Sequence, residues 1–231
     1  MNITIKHKYC IVIGLDYIND KEKKLKGCIN DTILIIKLLI ENFNYEPENI
    51  TLFTDYSKNK ATKQNIFKKF KEYIDNRNNI ETILIYFSGH GNNNCICIDK
   101  NERLFDYEIK TNLINYLLPT TKIICILDCC KSGNFFRIGN WFTNFRIYEN
   151  SIKLLLISAC NNNEIATEFY DKKNSVTFGL FTFYFFEILS RFKNYSWIDL
   201  LDLLKNFILN KNNQTPQIKT INYNLDEDVT F

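Results

Sequence analysis

The chain has 231 residues, 45% of them hydrophobic and 15% aromatic, which supplies enough apolar area for the packed core of one substantial domain. Its 29 Lys and Arg against 26 Asp and Glu leave a net charge of +3, and the basic residues are scattered over polar helix faces, which excludes a nucleic-acid-binding stripe. The longest apolar runs, 32–40 and 180–189, are broken by Lys37 and Glu187 and fall short of the roughly 20 residues that cross a bilayer, so no membrane span is expected.

In chain order, the segment from Met1 is charged and runs directly into apolar residues 10–15 with no small-residue cleavage site. A soluble cytoplasmic chain is expected, with no prodomain ahead of the first strand. Its eight cysteines then read as reduced thiols, with Cys10 and Cys125 as core filler inside strand-like runs. Short β-rich runs at 9–14, 50–54, 82–87, 122–127 and 153–158 alternate with segments of helical period, which predicts a mostly parallel sheet.

The first crossover helix, 31–43, is apolar at Ile33, Ile36, Leu39 and Ile40. The second, 62–74, carries Ile66, Phe67, Phe70, Tyr73 and Ile74 on one stripe with lysines opposite. Both are expected to cover the sheet. Residues 95–98 and 103–105 around the polar turn 99–102 predict a hairpin, followed by a third helix over 107–117 that Pro119 ends. Residues 176–192 and 197–209 predict two more helices, and a polar tail containing Gln214-Thr215-Pro216-Gln217 follows.

Ligands of open α/β sheets bind beyond the carboxyl ends of the strands, so the residues that end each apolar run carry the chemistry. The third run ends in Tyr86-Phe87-Ser88-Gly89-His90-Gly91 and the fourth in Leu127-Asp128-Cys129-Cys130-Lys131-Ser132-Gly133. A cysteine thiol, with an ordinary pKa of about 8.5, is mostly protonated at neutral pH and needs an imidazole or a positive charge beside it to act as a nucleophile. His90 is placed to take that proton and to return it to a leaving amine. The Gly91 and Cys130 amides are candidate donors to a developing oxyanion.

Those two strand endings resemble the catalytic motifs of metacaspases, cysteine peptidases of the caspase-like clan. Leu25-Lys26-Gly27-Cys28-Ile29-Asn30-Asp31 is similar to the family's N-terminal pocket motif, Ile157-Ser158-Ala159-Cys160 to its later strand, and Thr215-Pro216-Gln217 to its C-terminal signature. The resemblance implies an α/β fold: a caspase-like three-layer sandwich, with a mostly parallel central sheet of about six strands and helices on both faces. It also implies one peptidase domain over 1–231, with a large-subunit-like part, 1–133, and a small-subunit-like part, 151–231. Carried over by position, Cys130 is the nucleophile and His90 its partner. Adjacent side chains of an extended segment point oppositely, so at most one of Cys129 and Cys130 faces His90. Cys28, Asp31, Ser88 and Asp128 match the primary specificity pocket, which implies Arg or Lys before the scissile bond, since two carboxylates in one cleft favour a guanidinium or ammonium. A monomer acting on protein or peptide substrates is expected.

The chain departs from the family in two places. Many metacaspases bind activating calcium through acidic residues after the His-Gly motif and after the nucleophile. Here the first region offers Asp99, Glu102, Asp106 and Glu108, and the second offers Arg137. Calcium takes six or more oxygen ligands, so calcium dependence is expected to be weak or absent, with no metal or other cofactor. Lys131 stands where the family usually has His, and is read either as a positive charge that lowers the Cys130 pKa or, in preference, as a solvated residue.

The aromatic-rich stretch 134–150 reads as an active-site loop in which Arg137 and Arg146 are candidate self-processing sites, with Lys172-Lys173 as another. Two rival readings stand beside the peptidase. One is an inactive relative serving as a binding or regulatory module, which Cys130-dependent cleavage would separate. The other is a metal or redox protein suggested by Cys95-Ile96-Cys97 and Cys129-Cys130, although the paired C-x-x-C spacing of structural zinc sites does not occur.

Overall fold

The computed structural model describes residues 6–58, 60–138, 152–192, 194–209 and 212–231. Six strands form the central sheet: β1 (His7–Gly14), β2 (Ile50–Thr54), β3 (Ile80–Ser88), β7 (Lys122–Asp128), β8 (Lys153–Ser158) and β11 (Gln217–Ile221), in the order β11-β8-β7-β3-β1-β2. All neighbours are parallel except β11, which runs antiparallel to β8.

The strands are apolar on both faces because both are covered. Ile11, Ile13, Ile83, Ile85, Phe87 and Cys125 face α2 (Lys63–Asp75) and α3 (Asp106–Asn112) in one core layer. Cys10, Val12, Leu84, Tyr86, Ile124 and Ile126 face α1 (Cys28–Phe43), α4 (Leu180–Arg191) and α5 (Trp197–Leu209) in the other. This alternation is the period-two geometry of a doubly covered parallel sheet. The expected sandwich is therefore observed. Among the described residues no helix is long and apolar enough to cross a membrane.

Four details differ from the expectations. In α1 the covering face is Cys28, Thr32, Ile35, Leu38 and Leu39, while Ile33 is 61% exposed and Ile40 faces out. This helix is apolar almost all round, so its period does not fix the buried face; docking against α4 does. The third helix ends at Asn112, and a 3-10 turn (Ile114–Tyr116) follows, because Leu113 and Ile114 turn into the core. Residues 176–179 are not helical. They form β10 (Val176–Gly179), paired antiparallel with β9 (Glu168–Asp171), and α4 begins only after Gly179. Finally, the polar tail holds β11, whose Ile218 packs inward from an edge strand.

The expected hairpin is present as β5 (Cys95–Cys97) and β6 (Arg103–Phe105), with β4 (Gly91–Asn92) added on the other side of β5. This three-stranded sheet carries the chain directly out of the His90 turn.

Candidate active site

The register of the central sheet brings the two motifs together. Ser88 pairs with Asp128 at the carboxyl ends of β3 and β7, so His90 and Cys130 each lie two residues beyond the same rung of adjacent parallel strands. The Gly89 N–H donates to the Asp128 carbonyl (3.2 Å), holding the two exits in contact. A Cβ on Gly91 would sit 2.5 Å from Cys129 Sγ and 2.6 Å from the Cys130 carbonyl, so only glycine lets the backbone after His90 lie against the cysteine pair.

His90 is fixed at its ring and at its backbone. Its Nε2 lies 2.7 Å from the Lys23 carbonyl oxygen, which can only accept, so Nε2 carries the proton and Nδ1 is the nitrogen left free to receive one. The Cys97 N–H donates to the His90 carbonyl (2.9 Å), making His90 and Cys97 a bonded pair of the β4–β5 ladder. Bonded and non-bonded pairs alternate in an antiparallel ladder, so the Gly91–Ile96 rung is a non-bonded one and the Gly91 N–H points away from β5.

The two neighbouring cysteines have opposite environments. Cys129 is 2% exposed, inside the core layer that faces α2, whereas Cys130 is half-buried and reachable. Cys130 Sγ makes a long contact of 3.9 Å to the Ala166 carbonyl. Burial, then the Asp128 charge, push the Cys130 thiol up, while Lys131 acts in the opposite direction without offsetting them. A thiol raised in this way favours its protonated form at neutral pH. Lys131 is half-buried, in a left-handed conformation, with its ammonium 3.4 Å from Asn92 Oδ1.

Beneath this edge lies a cluster of buried carboxylates. Asp31 is fully buried; its Oδ2 accepts from the Ser88 hydroxyl (2.7 Å) and its Oδ1 from the Gly179 N–H (2.8 Å). Asp128 Oδ2 accepts from both the N–H (3.1 Å) and the hydroxyl (2.7 Å) of Thr182. A Cβ on Gly179 would lie 2.2 Å from Asp128 Oδ2 and 2.8 Å from Asp31 Oδ2, so this glycine is the spacer between the two groups. Among the described residues neither is ion-paired. Burial raises both: Asp128 to about 6, and Asp31 well above its ordinary range with the Asp128 charge adding to the effect. Cys28 is buried beside them, its N–H donating to Asp16 Oδ1 (2.9 Å). The structure thus brings Cys28, Asp31, Ser88 and Asp128 to one place under the motifs.

Several residues that hold this site were not singled out from the sequence. The β9–β10 hairpin supplies Gly179, and Glu168 Oε1 accepts from both the Lys26 and Gly27 amides (2.7 Å each). The segment facing Cys130 is braced by Gln214, which is fully buried, accepts from Thr167 and donates to the Ala159 carbonyl (3.0 Å). Glu164 accepts from the N–H and hydroxyl of Thr215. Gln214 next to the Thr-Pro-Gln signature was the available signal. Arg137 is exposed, Lys172 and Lys173 lie in the β9–β10 turn, and Arg146 falls outside the described residues. All eight cysteines are free thiols, and among the described residues no group of three or more His, Cys, Asp or Glu is disposed to hold a metal ion.

A family profile for the metacaspase, peptidase C14 domain matches residues 8–138, which include both motifs and the two strands, β3 and β7, that present them. Metacaspase-1A of Aspergillus oryzae is 29% identical over 144 residues, covering 54% of this chain and 34% of that protein. Metacaspase III c of Phaeodactylum tricornutum is 26% identical over 165 residues, covering 61% of this chain and 49% of that protein. Metacaspase-4 of Arabidopsis thaliana is 26% identical over 142 residues, covering 54% and 34%. The chain thus spans between about a third and a half of the length of these relatives. The crystal structure of a Geobacter sulfurreducens protein superposes with a TM-score of 0.67 at 15% identity, covering 96% of this chain and 97% of that one, a likeness of fold.

Proposed function

The chain belongs to the metacaspase family of C14 peptidases, and on that premise we propose that it is a cysteine endopeptidase that cleaves after Arg or Lys, with Cys130 as nucleophile and His90 as general base and acid. The observation that carries this reading is the rung shared by Ser88 and Asp128, which puts the histidine and the half-buried cysteine on one edge directly above two buried carboxylates.

In the proposed cycle, Nδ1 of His90 takes the Cys130 proton as the sulfur attacks the scissile carbonyl. The Gly91 and Cys130 amides receive the developing oxyanion. His90 then protonates the leaving amine, a thioester forms on Cys130, and water releases the acid by the reverse proton path. The raised resting pKa of Cys130 supports general-base attack over a preformed thiolate.

Peptides that differ only in the residue before the cleaved bond test the specificity. Arg and Lys are expected to be cleaved and Asp to be rejected by at least about 100-fold in kcat/KM, because an acidic side chain would enter beside two carboxylates. Equal rates for all residues would end the assignment of the pocket. No Cys130-dependent cleavage of any substrate would favour the binding module.

Calcium dependence is proposed to be weak. Glu108 is ion-paired to Lys63 (2.7 Å), Glu102 accepts from the Lys63 N–H and Asp99 from the Lys100 N–H, so these carboxylates already serve protein partners. Titrating calcium from chelated buffer to millimolar concentration is expected to change kcat/KM less than about threefold; activation at micromolar metal would contradict this.

A further inference from the structure

Immediately after β1 the chain makes an unusual residue conformation at Tyr17, with φ of 52° in the left-handed region, which costs a bulky side chain free energy and persists only where surrounding contacts demand it. Those contacts come from Asp55, at the end of β2. Its Oδ2 accepts from the Asp16 N–H (2.6 Å) and the Tyr17 N–H (3.1 Å) at once. The left-handed turn sends the tyrosine ring, 6% exposed, across the end of β3.

There the ring meets His90 twice. Its centroid lies 4.7 Å from the imidazole centroid with the planes 36° apart. Its hydroxyl accepts the His90 N–H (2.9 Å) and donates to the Cys97 carbonyl (2.6 Å), standing in for the second direct bond that the His90–Cys97 rung of the ladder would otherwise make. A Cβ on Gly89 would sit 2.7 Å from Phe87 Cζ and 2.8 Å from this hydroxyl, so the glycine leaves room for both rings. Burial pushes the phenol up, which keeps the hydroxyl a donor to Cys97 over the working pH range.

We infer that Tyr17 is the positioning residue of His90. It sets the height of the His90 backbone through its hydroxyl and the plane of the imidazole through its ring, while Lys23 fixes the far ring nitrogen. Asp55 holds Tyr17 in the conformation that makes this possible. The inference rests on the proposed role of His90, but its structural half can be measured independently.

Tyr17→Phe removes the hydroxyl and keeps the ring. On a basic peptide substrate kcat is expected to fall about 10- to 100-fold with KM within about threefold, since a small displacement of a catalytic group costs rate and leaves ground-state binding in place. The chain has two histidines, His7 and His90, so nitrogen-resolved NMR of the imidazoles, assigned with His7→Gln, reads the His90 tautomer directly. The wild type is expected to show Nε2 protonated and Nδ1 free, and Tyr17→Phe a mixture. Tyr17→Met, which fills the space with neither ring nor hydroxyl, is expected to lose at least as much kcat, and serves should the phenylalanine variant fold poorly. A kcat within twofold of wild type, together with an unchanged tautomer, overturns the inference. A tautomer that shifts in an enzyme whose turnover ignores Cys130 would instead overturn the dyad and leave the positioning role standing.

Discussion

Cys130→Ala is expected to lower kcat/KM on an Arg or Lys substrate by about 10⁴-fold or more, because the thioester of the proposed cycle forms on Cys130, and the proposed oxyanion donors and binding contacts left behind would give only residual catalysis. The informative control is Cys129→Ala. Cys129 is 2% exposed and packed beneath Gly91, so its loss removes a small apolar group from the core and is expected to cost about 1 kcal/mol of stability while kcat stays within a few-fold of wild type. Steady-state kinetics of both variants at matched folded concentration checks the pair. Activity in Cys130→Ala with loss in Cys129→Ala would reverse the assignment, and Cys129 would then have to leave a position closed by Gly91 and the core.

Asp31→Asn and Asp128→Asn carry the second largest expected effect, a loss of about 100- to 1,000-fold in kcat/KM for basic substrates, which corresponds to removing one partner of a buried charge pair. The loss is expected mainly in KM, since the proposed pocket would bind the side chain before the cleaved bond in ground and transition states alike. The same carboxylates give a pH dependence whose sign follows from their raised pKa values. Asp128, at about 6 in the folded protein, is charged above that pH and neutral below it, so kcat/KM for Arg and Lys substrates is expected to fall as pH drops through about 6. Entry of a cationic side chain favours the ionised form and releases protons near that pH.

For stability the direction is opposite. A carboxyl whose folded pKa is raised above its unfolded value favours folding most below the unfolded value of about 4, and that contribution disappears as pH rises through about 6. Neutral pH therefore carries the cost of a buried charge, up to about 3 kcal/mol for the Asp128 shift. Asp128→Asn is expected to melt higher than wild type at pH 7.5 and to show no such gain at pH 4. A catalytic defect accompanied by a stability gain would mark a group kept for its ligand at the expense of the resting fold. Melting curves at the two pH values, with matched kinetics, check both halves.

How much of this was readable beforehand follows from the kind of signal each residue carries. The five parallel strands were legible because a doubly covered strand is a short, continuous apolar run bounded by polar residues. β11 and the β9–β10 hairpin were not, because edge and hairpin strands here alternate polar with apolar residues over only four or five positions. In residues 176–192 the apolar run of α4 also masked the break at Gly179. In α1 the reverse problem arose: too many apolar residues left the buried face open until α4 chose it.

The amino-acid sequence alone determined the parallel sheet and the motif residues that end its third and fourth strands, because strand endings follow from local hydrophobic pattern. Only the tertiary structure decided which of two adjacent cysteines is reachable, that Gly179 returns from a distant hairpin to separate Asp31 from Asp128, and that Tyr17 braces His90. Exposure, carboxylate proximity and a left-handed turn held by Asp55 all arise between residues far apart in the chain, where no local propensity acts and packing alone sets the distance.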